Sequence, residues 1–257
     1  MKKILCDFHV HSILSPCAEI EMTPHHIMLR ASEAGIGAVA ITDHNASGNI
    51  QAALDLAAKY EVAVLPGMEV ETIEEAHIVV LFDTLEQMTS WQEYIDANRE
   101  PRLNNAERFG AQFVVDAEDN LIREEEKMLL GAGKLTAEEV IAACHKLGGI
   151  CWAAHIDRPA YSLLKQLGFL GEDLALDAVE ISRNALPELQ TQSLKPLVHN
   201  LPYLTNSDGH TMHDFLTGPK NQIKVEAVTV QEIKKALQGV DGRIIKPGQF
   251  ATLLDDY

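Results

Sequence analysis

Residues 3–11 read Lys-Ile-Leu-Cys-Asp-Phe-His-Val-His, an apolar run whose far end turns into acid and imidazole. Such a short, continuous apolar run is expected to form a strand buried on both faces. At a strand's period of two, His9 and His11 face the same side, so both rings converge on one point. Taken alone, a solvated histidine pair would look the same. The pattern recurs, however. Strands are expected at Lys3–Val10, Ala38–Thr42, Val62–Pro66, His77–Phe82, Ile150–His155, Ala178–Ser182 and Tyr203–Asn206. Thr42-Asp43-His44 closes the second, and Pro66-Gly67-Met68-Glu69 closes the third. His155 ends the fifth, Glu180 lies late in the sixth, and Ser207-Asp208-Gly209-His210 follows the seventh. His77 alone begins a strand, so a bend or loop from Glu69 would be needed to bring it to the others.

Helical patterns fill the intervals. Thr23-Pro24 opens a helix running through Ala34, with Pro tolerated in the first turn and Gly35 as the stop. Asn49–Tyr60, Leu85–Asn98, Thr136–Leu147 and Val230–Gln238 are similar, and Thr136 with Glu139 forms a capping box. Seven strands alternating with helices predict an α/β chain folded as a seven-stranded distorted β/α barrel of the TIM-barrel-related kind. An open doubly wound sheet is the other arrangement. In a parallel barrel all strand carboxyl ends open on one face, where active sites are built. Polar residues recurring there would be costly in a core unless paired or liganded. Residues 99–134 break the rhythm and read as an inserted hairpin or lid within a single domain spanning 1–257.

The chain has 257 residues, 46% hydrophobic and 23% charged, an ordinary globular composition. Its net charge of −17 argues against a broadly basic nucleic-acid surface. A phosphorylated small molecule stays compatible, because bound cations reverse the local field. The N-terminal apolar stretch is too short for a signal peptide, and no run reaches membrane-helix length, so a soluble cytoplasmic protein is expected. The four cysteines form no CxxC pair. Cys6, Cys144 and Cys151 sit in apolar runs and are expected in the core, reduced. His25, His26, His145 and His199 scatter among helices and loops and are expected at the surface or behind the site.

The ordered set DFHVHS, TDH, PGMEVE, His77, His155 and SDGH resembles the PHP family, named for polymerase and histidinol phosphatase. The resemblance spans His9 to His210. It implies a seven-stranded distorted barrel, up to three metals, and hydrolysis of phosphate esters. It also implies that His9, His11, Glu69 and Asp208 hold a first metal, and that Glu69 bridges to a second held by His77 and His155. A third would draw on His44 and His210. The family's acidic or histidine ligand six or seven residues after the second His of HxH is missing, and Cys17 falls there, with Glu19 a weaker substitute. A Cys17 thiolate would favour zinc or iron over manganese.

Two or three divalent ions (Mn, Zn or Fe) would lower the pKa of a shared water and attack a phosphoryl group in line. Glu69 would fix the metal spacing, and Asp208 is the candidate for taking the nucleophile's proton. Asp7 and Asp43, beside the ligand histidines, are candidate acceptors for imidazole N–H groups. Arg158 and Arg183 would emerge at the mouth as phosphate clamps, and Lys220 is a third basic candidate. Glu180 reads equally as fold support or substrate contact. A small phosphomonoester is the expected substrate, and with few aromatics an extended nucleic-acid groove lacks material. The rival enzyme is a nuclease of the TatD type, which would not predict TDH or a His directly after Asp-Gly. An amidohydrolase would want a lysine at a strand end. A metal-stabilised structural module is the non-catalytic alternative.

Overall fold

The computed structural model describes residues 1–171, 174–184, 201–249 and 251. Strands β1 (Lys2–Val10), β2 (Ala38–Ile41) and β3 (Ala63–Glu71) run parallel, with α1 (Pro24–Glu33) and α2 (Ile50–Tyr60) between them. β4 (His77–Leu81) returns antiparallel to β3 and lies antiparallel to β7 (Ile150–Ala153). Between β4 and β7 come α3 (Leu85–Ala97), α4 (Ala106–Phe109), the separate two-stranded ladder of β5 (Phe113–Val115) and β6 (Leu121–Glu124), and α5 (Ala137–Lys146). α6 (Leu163–Leu167), β8 (Ala178–Glu180), β9 (Tyr203–Leu204), α7 (Met212–Thr217), β10 (Lys220–Val225), α8 (Val230–Gln238) and β11 (Ile244–Gln249) follow.

All seven expected strands are present, and the five expected helices match to within a residue at each end. Their caps explain the agreement: Thr23, Thr84, Thr136 and Thr229 each accept from the backbone N–H three residues on. Among the described residues the main sheet has nine strands rather than seven, because β10 and β11 extend it antiparallel from β1. The order is β11-β10-β1-β2-β3-β4-β7-β8-β9, a barrel-like sheet that nearly closes.

Side chains complete the closure where the backbone ladder stops. Asn221 exchanges hydrogen bonds with Thr205, its Oδ1 accepting from the Thr205 N–H at 3.0 Å and its Nδ2 donating to the Thr205 carbonyl at 2.7 Å. Asn206 Oδ1 accepts from Phe8 N–H, Asp7 Oδ1 accepts from Ser207 N–H, and His11 N–H donates to the Gly209 carbonyl. These bonds satisfy edge groups that would otherwise be buried unpaired.

Two apolar layers position the site. Along β4, Ile78 and Val80 face an outer core shared with α1, α2, α3 and α5. Val79 and Leu81 face an inner core with Cys6, Phe8, Leu65 and Trp152. Ile233 and Ala236 of α8 join that inner core, and the α8 N-terminus is tied to Asp83 beyond the end of β4. The barrel is therefore plugged at the end opposite His77, and the polar mouth lies at the other.

Candidate metal centre

Each functional side chain is delivered by a strand end. In β1 the register against β2 slips between Asp7 and Val10, a bulge immediately before His11. Such a bulge turns a strand and re-aims its side chains. His44 bridges to Glu69 just past β2, and Glu69 lies in the last turns of β3. His77 reaches the same mouth because β4 is antiparallel: its first residue pairs with Glu71, near the end of β3. The reversed strand thus does what a returning loop was expected to do. His155 and Asp208 occupy positive φ (30° and 48°), a conformation costly for residues other than glycine and typical of over-determined sites.

Glu69 is the hub. Its Oε1 lies 2.9 Å from His77 Nδ1, 3.1 Å from His9 Nε2 and 3.3 Å from His155 Nε2. Its Oε2 lies 3.0 Å from His44 Nδ1 and 3.3 Å from His11 Nε2. Asp208 Oδ1 stands 3.3 Å from His11 Nε2, 3.4 Å from His9 Nε2 and 3.5 Å from His210 Nδ1. Donor atoms of His9, His11 and Asp208 lie within 4.8 Å of one another, as do those of His44, Glu69 and His77, and of His11, His44 and His210. Glu69 and His9 are essentially fully buried.

The partners on the far side of the rings fix their tautomers. His9 Nδ1 faces both oxygens of Glu180 at 3.1 Å, so it carries the proton. His11 Nδ1 lies 3.0 Å from Ser15 Oγ, whose own hydrogen goes to Asp43 Oδ1 at 2.7 Å, so this ring too is protonated at Nδ1. Both Nε2 atoms, 3.2 Å apart, then point toward two carboxylates. Imidazoles and carboxylates converging in a buried site demand positive charge between them, supplied by protons on the rings or by a metal ion in their place, and imidazole with carboxylate is the donor set of divalent transition metals.

The electrostatics agree. Burial works against the Glu69 charge, yet His77, His9 and His44 hold its carboxyl well below the usual range. Asp208 is held down likewise, against burial, chiefly by His9 and His11. Burial would depress His9, but Glu180, Glu69 and Asp208 raise it well above its ordinary value. His44 and His210 fall to about 4 and about 3, through burial first and then the neighbouring His11. Carboxylates stay ionised and imidazoles compete for positive charge, a field that a bound cation satisfies.

The PHP domain model matches residues 7–186, more than half of the chain. This chain belongs to the PHP domain family. Its fold is similar to the lesion-specific endonuclease PfuEndoQ from Pyrococcus furiosus (TM-score 0.71, 24% identity, 95% of this chain and 58% of that one). It is also similar to endonuclease Q bound to a 27-mer duplex with an abasic lesion at its active site (TM-score 0.70, 22% identity, the same coverages). A protein assigned as a metal-dependent phosphoesterase from Bifidobacterium adolescentis matches over 80% of this chain and 87% of its own (TM-score 0.55, 19% identity). At these identities the likeness is one of fold, and the chain spans 58% of the length of the two endonuclease chains. No curated protein compared with the chain matches it.

Several residues outside the hub of this PHP domain lie elsewhere than expected. Asp7 meets no imidazole side chain among the described residues; its Oδ2 lies 3.1 Å from the buried Lys220 ammonium, and the two neutralise each other beneath the site. Lys220 is thereby removed from the mouth, its Nζ also donating to the Gly218 carbonyl. Asp43 acts on His11 only through Ser15, and takes Ser12 N–H at 2.7 Å. Arg183 is committed to Asp214 and the Ser207 carbonyl, bracing the turn that carries Asp208 rather than standing free as a clamp. Arg158 does reach the mouth, with Nη1 2.6 Å from Asp208 Oδ2. Cys17 is exposed and is not among the donors grouped with His11, His44 and His210. His199 lies outside the described residues.

Glu180, open between two readings in the sequence, holds His9 and is itself held by Trp152 Nε1 at 3.1 Å and Asn206 Nδ2 at 2.8 Å. Glu71 went unread, although the strand period places it two residues past Glu69. Its Oε2 accepts Gly131 N–H at 2.9 Å and lies 3.9 Å from His77 Nε2. Tyr161, also unread, stacks on His77 with ring centroids 4.7 Å apart.

Proposed function

We propose that this PHP-domain chain is a metal-dependent phosphoesterase that hydrolyses a small phosphomonoester at the Glu69 cluster. The observation that carries this reading is the convergence of imidazole nitrogens and ionised carboxylates on one buried point. His9, His11, Glu69 and Asp208 would hold one divalent ion, and Glu69 with His77 and His155 a second. His44 and His210 would serve a third, with Cys17 only as an exposed neighbour. Manganese, zinc and iron all suit imidazole and carboxylate donors. Such ions, when bound, neutralise a phosphoryl group and make water acidic enough to attack near neutral pH.

The chain's own residues do the rest. Glu180 and Ser15 fix the two ring tautomers. Asp208, ionised and held between His11 and Arg158, is the group placed to take a proton from the attacking water. Arg158 is about one-third exposed and offers its guanidinium to phosphate oxygens at the same carboxylate. Residues 99–134 would form a wall that selects substrates by size. Met128 and Leu129 carbonyls are held by Arg99, Leu129 also by Asn45, and Gly131 and Gly133 N–H groups donate to Glu71 at the rim. No helix among the described residues is long and apolar enough to cross a membrane.

The deciding experiment measures Mn, Fe and Zn per chain and assays a panel of monoesters, diesters, single-stranded DNA and abasic duplex. Two or more metals, with turnover of monoesters lost in Glu69→Gln and Asp208→Asn, supports the proposal. A second reading, cleavage of nucleic acid, draws on the TM-score of 0.71 to an endonuclease fold. Preference for the abasic duplex over every monoester would establish it instead. Metal bound without turnover of any ester would leave a structural module.

A further inference from the structure

A second group of metal donors lies at the amino-terminal ends of β7 and β8, away from the mouth that His155 and Glu180 mark. His145 Nε2 stands 2.7 Å from Asp177 Oδ2 and 3.8 Å from Cys151 Sγ. The three donor atoms all lie within 4.8 Å of one another. They come from three elements: the last turn of α5, the second position of β7, and the residue before β8. The Cys151 side chain is fully buried, whereas His145 is partly exposed, which opens a path from solvent.

The surroundings hold these donors in place. Cys151 N–H donates to Asp177 Oδ2 at 3.1 Å, and Lys234 Nζ lies 2.9 Å from the other oxygen. The carboxylate is thus oriented from behind, as supporting contacts orient metal ligands. Cys144, also buried, is close enough to Cys151 to push its thiol up together with burial, and stands as a second sulfur beside the three donors. Gly149 permits that approach, since a Cβ there would stand 2.7 Å from Cys144 Sγ. An ion pair alone would need only His145, Asp177 and Lys234. The sulfurs at its edge are what an ion pair does not use.

Thiolate, imidazole and carboxylate are the donors that zinc-class ions take, three from the protein with a fourth position open. A thiolate disfavours magnesium and calcium. We propose that His145 Nε2, Cys151 Sγ and Asp177 Oδ2 bind one zinc-class divalent ion, independent of the Glu69 cluster. Loading releases to solvent the Cys151 thiol proton and the proton shared by His145 and Asp177.

Cobalt(II) tests this, because sulfur ligation gives a thiolate-to-metal charge-transfer band that nitrogen and oxygen donors lack. The Cys17→Ser chain, which has no thiol near the Glu69 cluster, should show the band on titration. Adding Cys151→Ser should abolish it and lower bound cobalt by one equivalent, and Cys17→Ser/Glu69→Gln should retain it even if the mouth loads no metal. Should Cys151→Ser fail to fold by circular dichroism, His145→Gln, at a partly exposed position, must weaken the band instead. A Cys17→Ser chain with no band, or a band that survives Cys151→Ser, overturns the proposal.

Discussion

His9 Nδ1 lies 3.1 Å from both oxygens of Glu180, a carboxylate 171 residues further along the chain. Glu180 is buried and held by Trp152 and Asn206, so it fixes the ring rather than adjusting to it. Glu180→Gln leaves the packing nearly unchanged but replaces one acceptor oxygen by a donor and removes the charge that favours a basic ring. Partners of this kind are worth about 10–100-fold in metal affinity or activity. Metal titration of the variant should show a loss in that range; equal affinity would remove Glu180 from the site.

Arg158 shares Asp208 with the metal donors and is accessible from the mouth. A charge-assisted hydrogen bond to a phosphate is worth about 1.5–3 kcal/mol, or roughly 10–100-fold. Arg158→Ala should therefore lower kcat/KM for a phosphomonoester by that factor, chiefly through KM. A pure kcat loss with altered metal content would mean that Arg158 only positions Asp208.

Glu232 forms a two-point pair with Arg243, Oε2 to Nε at 2.9 Å and Oε1 to Nη2 at 3.0 Å. The guanidinium holds its carboxyl down to about 2 from the ordinary 4.5. A depressed folded-state value stabilises the fold above the unfolded value and loses that contribution as pH falls through the folded one. Glu232→Gln should thus lower Tm at neutral pH, with the gap to wild type closing between about pH 4.5 and about 2. Melting curves across that range check it, and a gap independent of pH would exclude the ionic origin.

Gly67 sits where β2, β3 and β4 meet. A Cβ there would stand 2.7 Å from Thr42 Cγ2 and Leu81 Cδ2, and 3.2 Å from the Ile41 carbonyl. Leu81 can turn aside, but Thr42 is buried and its hydroxyl holds Val10 N–H. Gly67→Ala should cost about 1–3 kcal/mol, the usual range for overpacking, measured by urea unfolding; a neutral result would show that Thr42 rotates freely.

The sequence is legible where chemistry is local. The helix boundaries follow from threonine caps, and the His9–His11 pair from strand period. The direction of β4 is not local: periodicity marks a strand but carries no arrow, so His77 looked misplaced until its antiparallel pairing with β3 was known. β10 and β11 escaped because Lys220–Val225 opens on three polar residues in a row and Ile244–Gln249 carries Pro247 and Gly248, as outer strands do. Asp7 was assigned by its neighbours in sequence, and its partner Lys220 is a neighbour only in space. Arg183 likewise looked free because Asp214 arrives from α7.

The reversal of β4 has a consequence for the order of assembly. Glu69 and His77 are eight positions apart on one hairpin, so their contact closes a short loop and forms at little entropic expense. Asp208 and His9 lie far apart in sequence and meet only after the sheet has curved round. A ribosome-bound chain that had not yet released Asp208 would hold Glu69 and His77, but not the carboxylate that unites them with the first strand. A metal held at the proposed site would double as a clasp, recording that the first strand and the segment carrying Asp208 have met.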